Sequence, residues 1–184
     1  MSNIKLVHSG GNSVSLTTPD SNPAANRTLK VPGNADGTIL TDTYKPVFFA
    51  RNNNNQSISN NTSTKIQFDA EVFDSHGYYD HSTNYRFTPQ LAGYYYITAS
   101  IYYVNVNNVY AIDIKKNGSR YVNCDFRHDF AASRSAFISS LVSFNGSSDY
   151  VEIFGYHTTG SSITIGNGSQ YSITEFSGQF VRAL

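Results

Sequence analysis

Four side chains between residues 74 and 81 are of types that bind metal ions. They are Asp74, His76, Asp80 and His81. Carboxylate oxygens suit a hard cation, and imidazole nitrogens suit zinc. Gly77 and two tyrosines interrupt any regular ligand spacing in this segment. We therefore favour a water-exposed polar loop over a metal site, and we predict neither a metal nor a cofactor.

A second polar cluster follows farther along the chain, where Asp125, Arg127, His128 and Asp129 precede Ser133. Serine, histidine and aspartate can form a hydrolytic triad when the three side chains meet. Adjacent residues of a strand point to opposite faces, however, and no nucleophile-elbow pattern surrounds the serine. We predict that the chain is not an enzyme.

Composition narrows the possible partners. Only 14% of the 184 residues are charged and the formal net charge is zero, so the chain has no electrostatic footprint for nucleic acid or an anionic membrane. No apolar run approaches the roughly 18 residues of a membrane span. Cys124 is the single cysteine, which excludes an internal disulfide. The first residues do not resemble a signal peptide, and we expect a protein made in the cytoplasm.

The stretch Gly93–Val104 predicts a central β-strand, because aromatic and β-branched residues fill nearly every position. Side chains alternate between the two faces of a strand. One face is predicted to be core and carries Tyr95, Ile97, Ala99, Ile101 and Tyr103. The other carries Tyr94, Tyr96, Thr98, Ser100 and Tyr102 and has the profile of a protein interface, or of a sheet face covered by the chain's own loops.

Every plausible element after residue 44 is a strand. Turn residues separate the apolar runs, with Asn-Gly pairs at Asn117, Asn145 and Asn167, and no window shows a convincing helical period. This spacing predicts an antiparallel sandwich. The predicted strands are 46–51, 65–73, 85–87, 93–104, 109–115, 121–126, 136–144, 150–156, 162–165 and 171–181.

Residues 1–43 have a different organisation. Short alternating runs at 4–7, 14–17, 28–31 and 38–40 are separated by Gly and Pro. Strands this short are marginal alone, so the segment is expected to be ordered only by pairing with a neighbour, another copy or a larger assembly. A flexible tail is the alternative.

The head region, residues 44–184, contains motifs of a known family. In chain order they are Phe68-Asp69, Gly77, Tyr79-Asp80, Phe87-Thr88-Pro89, Ala92-Gly93-Tyr94-Tyr95, Lys116-Asn117-Gly118, Asp149-Tyr150-Val151-Glu152-Ile153 and Phe176-Ser177-Gly178. This order resembles the complement-type globular head and the related tumour necrosis factor domain. The resemblance implies an all-β, ten-stranded jelly roll that assembles as a homotrimer. Members of the family that bind calcium use loop carboxylates, and a full ligand set is not matched in this chain.

The N-terminal segment resembles part of a different group of proteins. Ser9–Thr17, Asn22–Leu29, Val31-Pro32 and Asp36–Leu40 are similar to a segment of structural proteins from marine tailed bacteriophages, cyanophages especially. There the segment precedes variable surface domains. The resemblance implies an attachment segment, residues 1–43, that contacts other virion proteins.

Two function classes follow from these observations. The first is a structural virion protein on the particle surface, either a tail fibre tip or a capsid decoration, that touches the host. The second is a free complement-type module that binds a protein or glycan. A free module would need a signal peptide or a stalk, and the collagen repeat of such stalks is not present. The sequence does not distinguish fibre from decoration.

Two sets of residues are candidate sites. The predicted threefold contact combines the aromatic second face with one side of the last strand: Tyr96, Tyr102, Phe137, Phe176 and Phe180. If the chain binds a ligand, the predicted binding loops are 52–61 and 75–84, because loops on a rigid sandwich vary without cost to the core. The alternative is that these loops only solvate the head. Their leading residues are Asn53, Asn54, His76, Tyr78, Tyr79 and His81, and tyrosine rings can stack on the sugars of cell-surface glycans.

Overall fold

The computed structural model describes residues 4–7, 9–11, 13–16, 44–166 and 174–184. The chain divides into two compact units, Met1–Ile39 and Leu40–Leu184. In the first unit, strands β1 (Ile4–Val7) and β2 (Ser13–Leu16) form an antiparallel pair. The predicted strands at 28–31 and 38–40 and the turn at Asn167 lie outside the described residues.

The second unit is built from antiparallel strands, and no helix in the described residues is long and apolar enough to cross a membrane. Its strands are β3 (Val47–Arg51), β4 (Gln56–Ile58), β5 (Thr64–Lys65), β6 (Ala70–Asp74), β7 (Tyr79–Asp80), β8 (Arg86–Phe87), β9 (Gly93–Lys116), β10 (Ser119–Phe144), β11 (Val151–His157), β12 (Ile163–Ile165) and β13 (Glu175–Arg182).

Two strands, β9 and β10, run through both layers of a sandwich. The first half of β9, 93–103, and the last half of β10, 134–144, belong to a front sheet with β13, β3 and β6. The halves 109–116 and 119–127 pair in a back sheet with β11, which also contacts β5 and β8. The sequence predicted four separate strands here. The structure has two, because the ladder continues through the bend between the sheets.

Positive φ angles and register shifts occur where β9 and β10 bend between the two sheets. Asn105 and Asn108 have positive φ of 57° and 63°, which Asn adopts more easily than most residues. The register of β10 shifts between His128 and Ala132 and again between Ala132 and Arg134. Such bulges redirect a strand without ending it. At the other end of the hairpin, Asn117 and Gly118 have φ of 51° and 78°, which is the predicted two-residue turn.

The sandwich therefore has two distinct ends. At the base the chain enters β3, and Pro46 O accepts a hydrogen bond from Phe180 N at 2.9 Å. Gly93 pairs with Phe144 at this same end. The bend of β9 and β10 forms the apex, which lies roughly 33 Å along the strand from Gly93 at about 3.3 Å per residue. Segments 52–61 and 157–164 also lie at the apex, where Gly160 N donates to Asn60 Oδ1 at 2.8 Å.

The core fills the space between the sheets. The predicted core face of the central strand is confirmed, because Tyr95, Ile97, Ala99, Ile101 and Tyr103 are all buried. Aromatic rings join the layers: the Phe48 and Phe87 ring centroids are 4.3 Å apart. Burial of apolar surface is the main favourable term in the free energy of folding.

Glycine 178 shows how closely the inward positions pack. A Cβ built at this residue would lie 2.7 Å from both Ile97 Cδ1 and Phe48 Cε1. Only a residue without a side chain fits between these two groups. The neighbours two residues away on β13, Phe176 and Phe180, point into the same core.

Segment 65–73 differs from its predicted single strand. Ile66 and Phe68 are buried as the alternation predicts, but Val72 is exposed. The register between β3 and β6 shifts at this point, since Phe49 pairs with Phe73 whereas Ala50 pairs with Glu71. The bulge removes the alternation that would have placed Val72 inside.

One histidine is fully buried near the apex. His157 Nε2 donates to Ile58 O at 3.2 Å, and Nδ1 accepts from the Thr159 hydroxyl at 2.9 Å and from the Thr159 amide at 3.4 Å. These partners hold the neutral imidazole. Burial lowers the pKa of His157 below its usual value, because the charged ring would lose its hydration.

We expect acid to weaken the head through this residue. Since the pKa is lower in the folded chain, the unfolded chain takes up a proton first, below about pH 6.5. The free energy of unfolding should therefore decrease between pH 7.5 and pH 5, and His157→Asn should make the decrease shallower. Chemical denaturation at each pH measures this. His81→Asn, at an exposed histidine, is the control, and equal slopes for the two variants would contradict the prediction.

Candidate subunit interface and surface sites

The outward side of the front sheet exposes large apolar side chains. Tyr94 and Tyr96 on β9 are each 40% exposed, and Phe137 and Leu141 on β10 are 64% and 54% exposed. Phe73 on β6 is also exposed, and its ring lies 5.9 Å from that of Phe49. We name this surface the front face. Neighbouring exposed apolar side chains of this kind are a feature of interaction sites.

Strand register arranges these side chains in rows across the sheet. The rows are Leu141–Tyr96–Gln179–Val47, Ser139–Thr98–Ser177–Phe49–Phe73 and Phe137–Ser100–Glu175–Arg51. The middle of the face carries hydroxyl groups, and Thr98 Oγ1 lies 2.8 Å from Ser177 Oγ. The charged members, Glu175 and Arg51, both belong to the row nearest the apex. Apolar centres with few charges are typical of the core of an interface.

The outward side of the back sheet contrasts with the front face. Asp113 accepts from Asn123 Nδ2 at 2.8 Å and pairs with Arg120 at 3.1 Å. Glu152 pairs with Lys65 at 2.5 Å. These two carboxylates are paired within the chain. The two sheets therefore differ in what they offer to another molecule.

Two depressions make the front face uneven. One, of about 370 Å³, is lined by Phe49, Phe73, Tyr96 and Gln179 among others. The second, of about 290 Å³, lies beside Ser100, Phe137 and Glu175. Protruding aromatic rings next to depressions allow a partner surface to interlock with this one.

Two residues of the predicted threefold contact belong to the core instead. Phe176 is completely buried, and its ring lies 4.9 Å from that of Phe48. Phe180 is buried against Tyr95, with ring centroids 5.3 Å apart. The prediction that they line a subunit contact is wrong, because the polar residues between them occupy the outward side of β13. Tyr96 and Phe137 lie on the front face, and Tyr102 is half-buried at its apical edge.

The carboxylates of the 74–81 segment hold its backbone. Asp74 accepts from the amides of His76 and Tyr79 at 3.1 and 2.7 Å. Asp80 accepts from the amides of residues 82, 83 and 84. The amide of Thr83 is the largest of the influences that hold the pKa of Asp80 well below its usual value. No group of three or more possible metal ligands occurs in the part of the chain that the structure describes.

The predicted ligand residues of loop 75–84 are separated by the fold. Tyr79 is buried, and its hydroxyl donates to Phe68 O at 2.9 Å, so the prediction that it binds a ligand is wrong. Tyr78 is partly buried beside His76, with ring centroids 5.4 Å apart. His81 is exposed, and its Nδ1 lies 3.4 Å from Glu71 Oε2. The Ser75 amide donates to Val47 O, which places the start of this loop at the base.

The Asn-rich loop 52–61 lies at the apex and is more ordered than predicted. Residues 56–58 form β4, which pairs with β12. Asn53 N donates to Asp69 Oδ1 at 2.6 Å, and the side chain of Asn54 donates to the same carboxylate. Both asparagines are exposed and also fix the loop to its neighbour. The two predicted loops therefore begin at opposite ends of the sandwich.

The second polar cluster is not arranged as a triad. His128 Nδ1 lies 3.1 Å from Phe130 O, and His128 Nε2 lies 2.8 Å from a nitrogen of Arg134. Ser133 Oγ accepts from the Asn105 amide at 3.4 Å. The imidazole nitrogens are both engaged by groups other than the serine.

Sequence reasoning missed one feature, a pocket of about 450 Å³ at the apex. Its lining is Val104, Asn105, Asn107, Ala131, Thr159, Ser161, Ser162, Ile163 and Thr164. We name it the apical pocket. The available signal was the concentration of Asn, Ser and Thr in 105–108 and 158–164.

Comparison with known proteins agrees with this architecture. No family model and no curated protein matches the chain. Among solved structures, the globular domain of zebrafish complement 1qA protein is 13% identical, covers 76% of this chain and 99% of its own, and has a TM-score of 0.57. Murine APRIL is 10% identical, covers 74% of this chain and 99% of its own, and has a TM-score of 0.58. The vertex protein P5 of phage PRD1 is 15% identical, covers 75% of this chain and 96% of its own, and has a TM-score of 0.51.

The fold is a jelly roll of the complement and tumour necrosis factor type. At these identities the likeness concerns the fold alone. The predicted fold class is confirmed, and the predicted resemblance of the head is confirmed as a structural one. The resemblance of residues 1–43 to phage proteins stays a prediction.

The assignment of Tyr79 to the core can be measured. Tyr79→Phe should lower the free energy of unfolding by about 1 to 3 kcal/mol, because Phe68 O would lose its buried hydrogen-bond donor. Tyr78→Phe is the matched control and should change stability little. Denaturant titration of both variants checks this. Equal and small effects would show that the Tyr79 hydroxyl is not buried as described.

Proposed function

We propose that the chain is a non-enzymatic structural protein of a tailed bacteriophage virion, displayed on the particle surface as a homotrimer. Its head is the jelly roll of residues 44–184, and residues 1–43 attach it to other virion proteins. Both a tail fibre tip and a capsid decoration match this description.

The front face carries the trimer proposal. Tyr96 and Phe137 expose aromatic rings on a surface whose centre has no charged side chain among the described residues. In contrast, the back sheet pairs its charges internally. A second and third copy would bury the rings, and large aromatics in a desolvated centre contribute most to association.

The virion placement has separate support. One structural neighbour is a vertex protein of phage PRD1, and residues 9–40 resemble a segment of marine phage structural proteins. A free module that binds a protein or glycan is the second candidate, favoured by the complement-type neighbour. Attachment to particles discriminates between the two.

The trimer is tested by measuring mass in solution. The wild-type chain should give a trimeric mass at micromolar concentration in multi-angle light scattering. Tyr96→Ser/Phe137→Ser should give a monomer, since each truncation removes a buried aromatic contact worth at least about 2 kcal/mol. Phe130→Ser is the control, because this ring is also 64% exposed but lies near the apex. A monomeric wild type, or a trimeric double variant, would contradict the proposal.

The attachment segment is tested on particles. A chain lacking residues 1–43 should remain a folded trimer but should no longer be incorporated when it replaces the full chain during phage growth. Labelling of purified particles measures incorporation, and its position distinguishes fibre from capsid. Normal incorporation of the truncated chain would overturn the role of the segment.

A further inference from the structure

We infer that the apical pocket is a binding site for neutral glycans. The site differs from both loops predicted from the sequence, and the biological role assigned to it rests on the proposed display at a particle surface. Three properties of the pocket support the inference: its chemistry, its rigidity and its position.

The chemistry of the lining matches a hydroxyl-rich, uncharged ligand. Its polar members are two asparagines, two serines and two threonines, and its other members are small or aliphatic. Amide and hydroxyl groups both donate and accept hydrogen bonds, as sugar hydroxyls do. Within the described residues, the side chains of Asn107, Ser162 and Thr164 make no hydrogen bond, so these groups are available to a ligand.

The volume of about 450 Å³ also suits this class of ligand. Small-molecule pockets commonly have volumes of about 300 to 1,000 Å³. The absence of charged residues from the lining disfavours phosphate, sulfate and carboxylate ligands, which are usually bound through Arg or Lys.

Hydrogen bonds hold parts of the pocket wall in place. Thr158 N donates to Val109 O at 2.9 Å, and Val109 N donates to Thr158 Oγ1 at 3.2 Å. Thr159 Oγ1 lies 2.9 Å from His157 Nδ1 and 3.0 Å from Ser161 O. On the other side, Thr164 pairs with Ser57 in the β4–β12 ladder. A preorganised wall reduces the entropy that binding would otherwise cost.

The pocket lies at the apical end of the front face, beyond the row that contains Phe137 and Ser100. The front-face rings of Tyr94 and Tyr96 lie toward the base on β9, whereas Val104 and Asn105 lie beyond the end of that half-strand. The chain enters the head at the base, through Pro46 and Val47. A head held from its base therefore points the apical pocket outward.

The test uses an array of neutral oligosaccharides, with acidic oligosaccharides of matched length for comparison, probed with the full-length labelled chain. At least one neutral oligosaccharide should bind, and titration should show little dependence on salt. Asn107→Ala/Ser162→Ala should weaken this binding at least tenfold. Thr164→Arg, which fills the pocket, should abolish it.

The control variant is Gln90→Ala/Ser147→Ala, which also removes one amide and one hydroxyl but at the base. It should bind as the wild type does. All variants are first checked for wild-type mass and melting temperature, so a failure of the trimer is recognised separately from a failure of the pocket. Absence of binding to any neutral oligosaccharide, or equal binding by wild type and Asn107→Ala/Ser162→Ala, would overturn the inference.

Discussion

The backbone ladder between β9 and β10 is the interaction on which the rest of the structure depends. The two strands pair from Gly93 with Phe144 to Lys116 with Ser119 and pass from one sheet to the other at a bend where the register shifts twice. β13 and β11 then attach to the two halves of β9 on its free side. The hairpin thus contributes two neighbouring strands to each sheet.

This continuity gives the front face its regularity. On the half-strand 93–103, strict alternation sends Tyr95, Ile97 and Ile101 into the core and leaves Tyr94 and Tyr96 outside. Each outward ring is held by a backbone that is paired on both sides, by β10 and by β13. An aromatic surface with so little backbone freedom loses little further backbone entropy on association.

The sequence predicted the parts of the fold that depend on local pattern. Alternation identified the core face of the central strand, and Asn117-Gly118 identified the hairpin turn. The predictions of exposure were wrong for residues whose burial depends on contacts with other strands. Phe176 and Phe180 share one side of β13, as predicted, but that side faces the core and not another subunit. Ser177 and Gln179, the polar residues next to them, are on the outward side. Tyr79 was assigned to a loop, and only the neighbourhood of Phe68 O and the Phe48 ring reveals that it is core.

The apical pocket could not be predicted for a related reason. Its lining comes from β9, from β10 and from segment 159–164, and these meet only because the long hairpin bends at the apex. In the sequence each piece has the composition of an ordinary turn. Because hydrogen bonds between Thr158 and the backbone of Val109 hold the wall, we expect that side chains such as Asn107 and Ser162 can be replaced without loss of the fold. Rigid walls with replaceable side chains allow the chemistry of the apex to change independently of the front face.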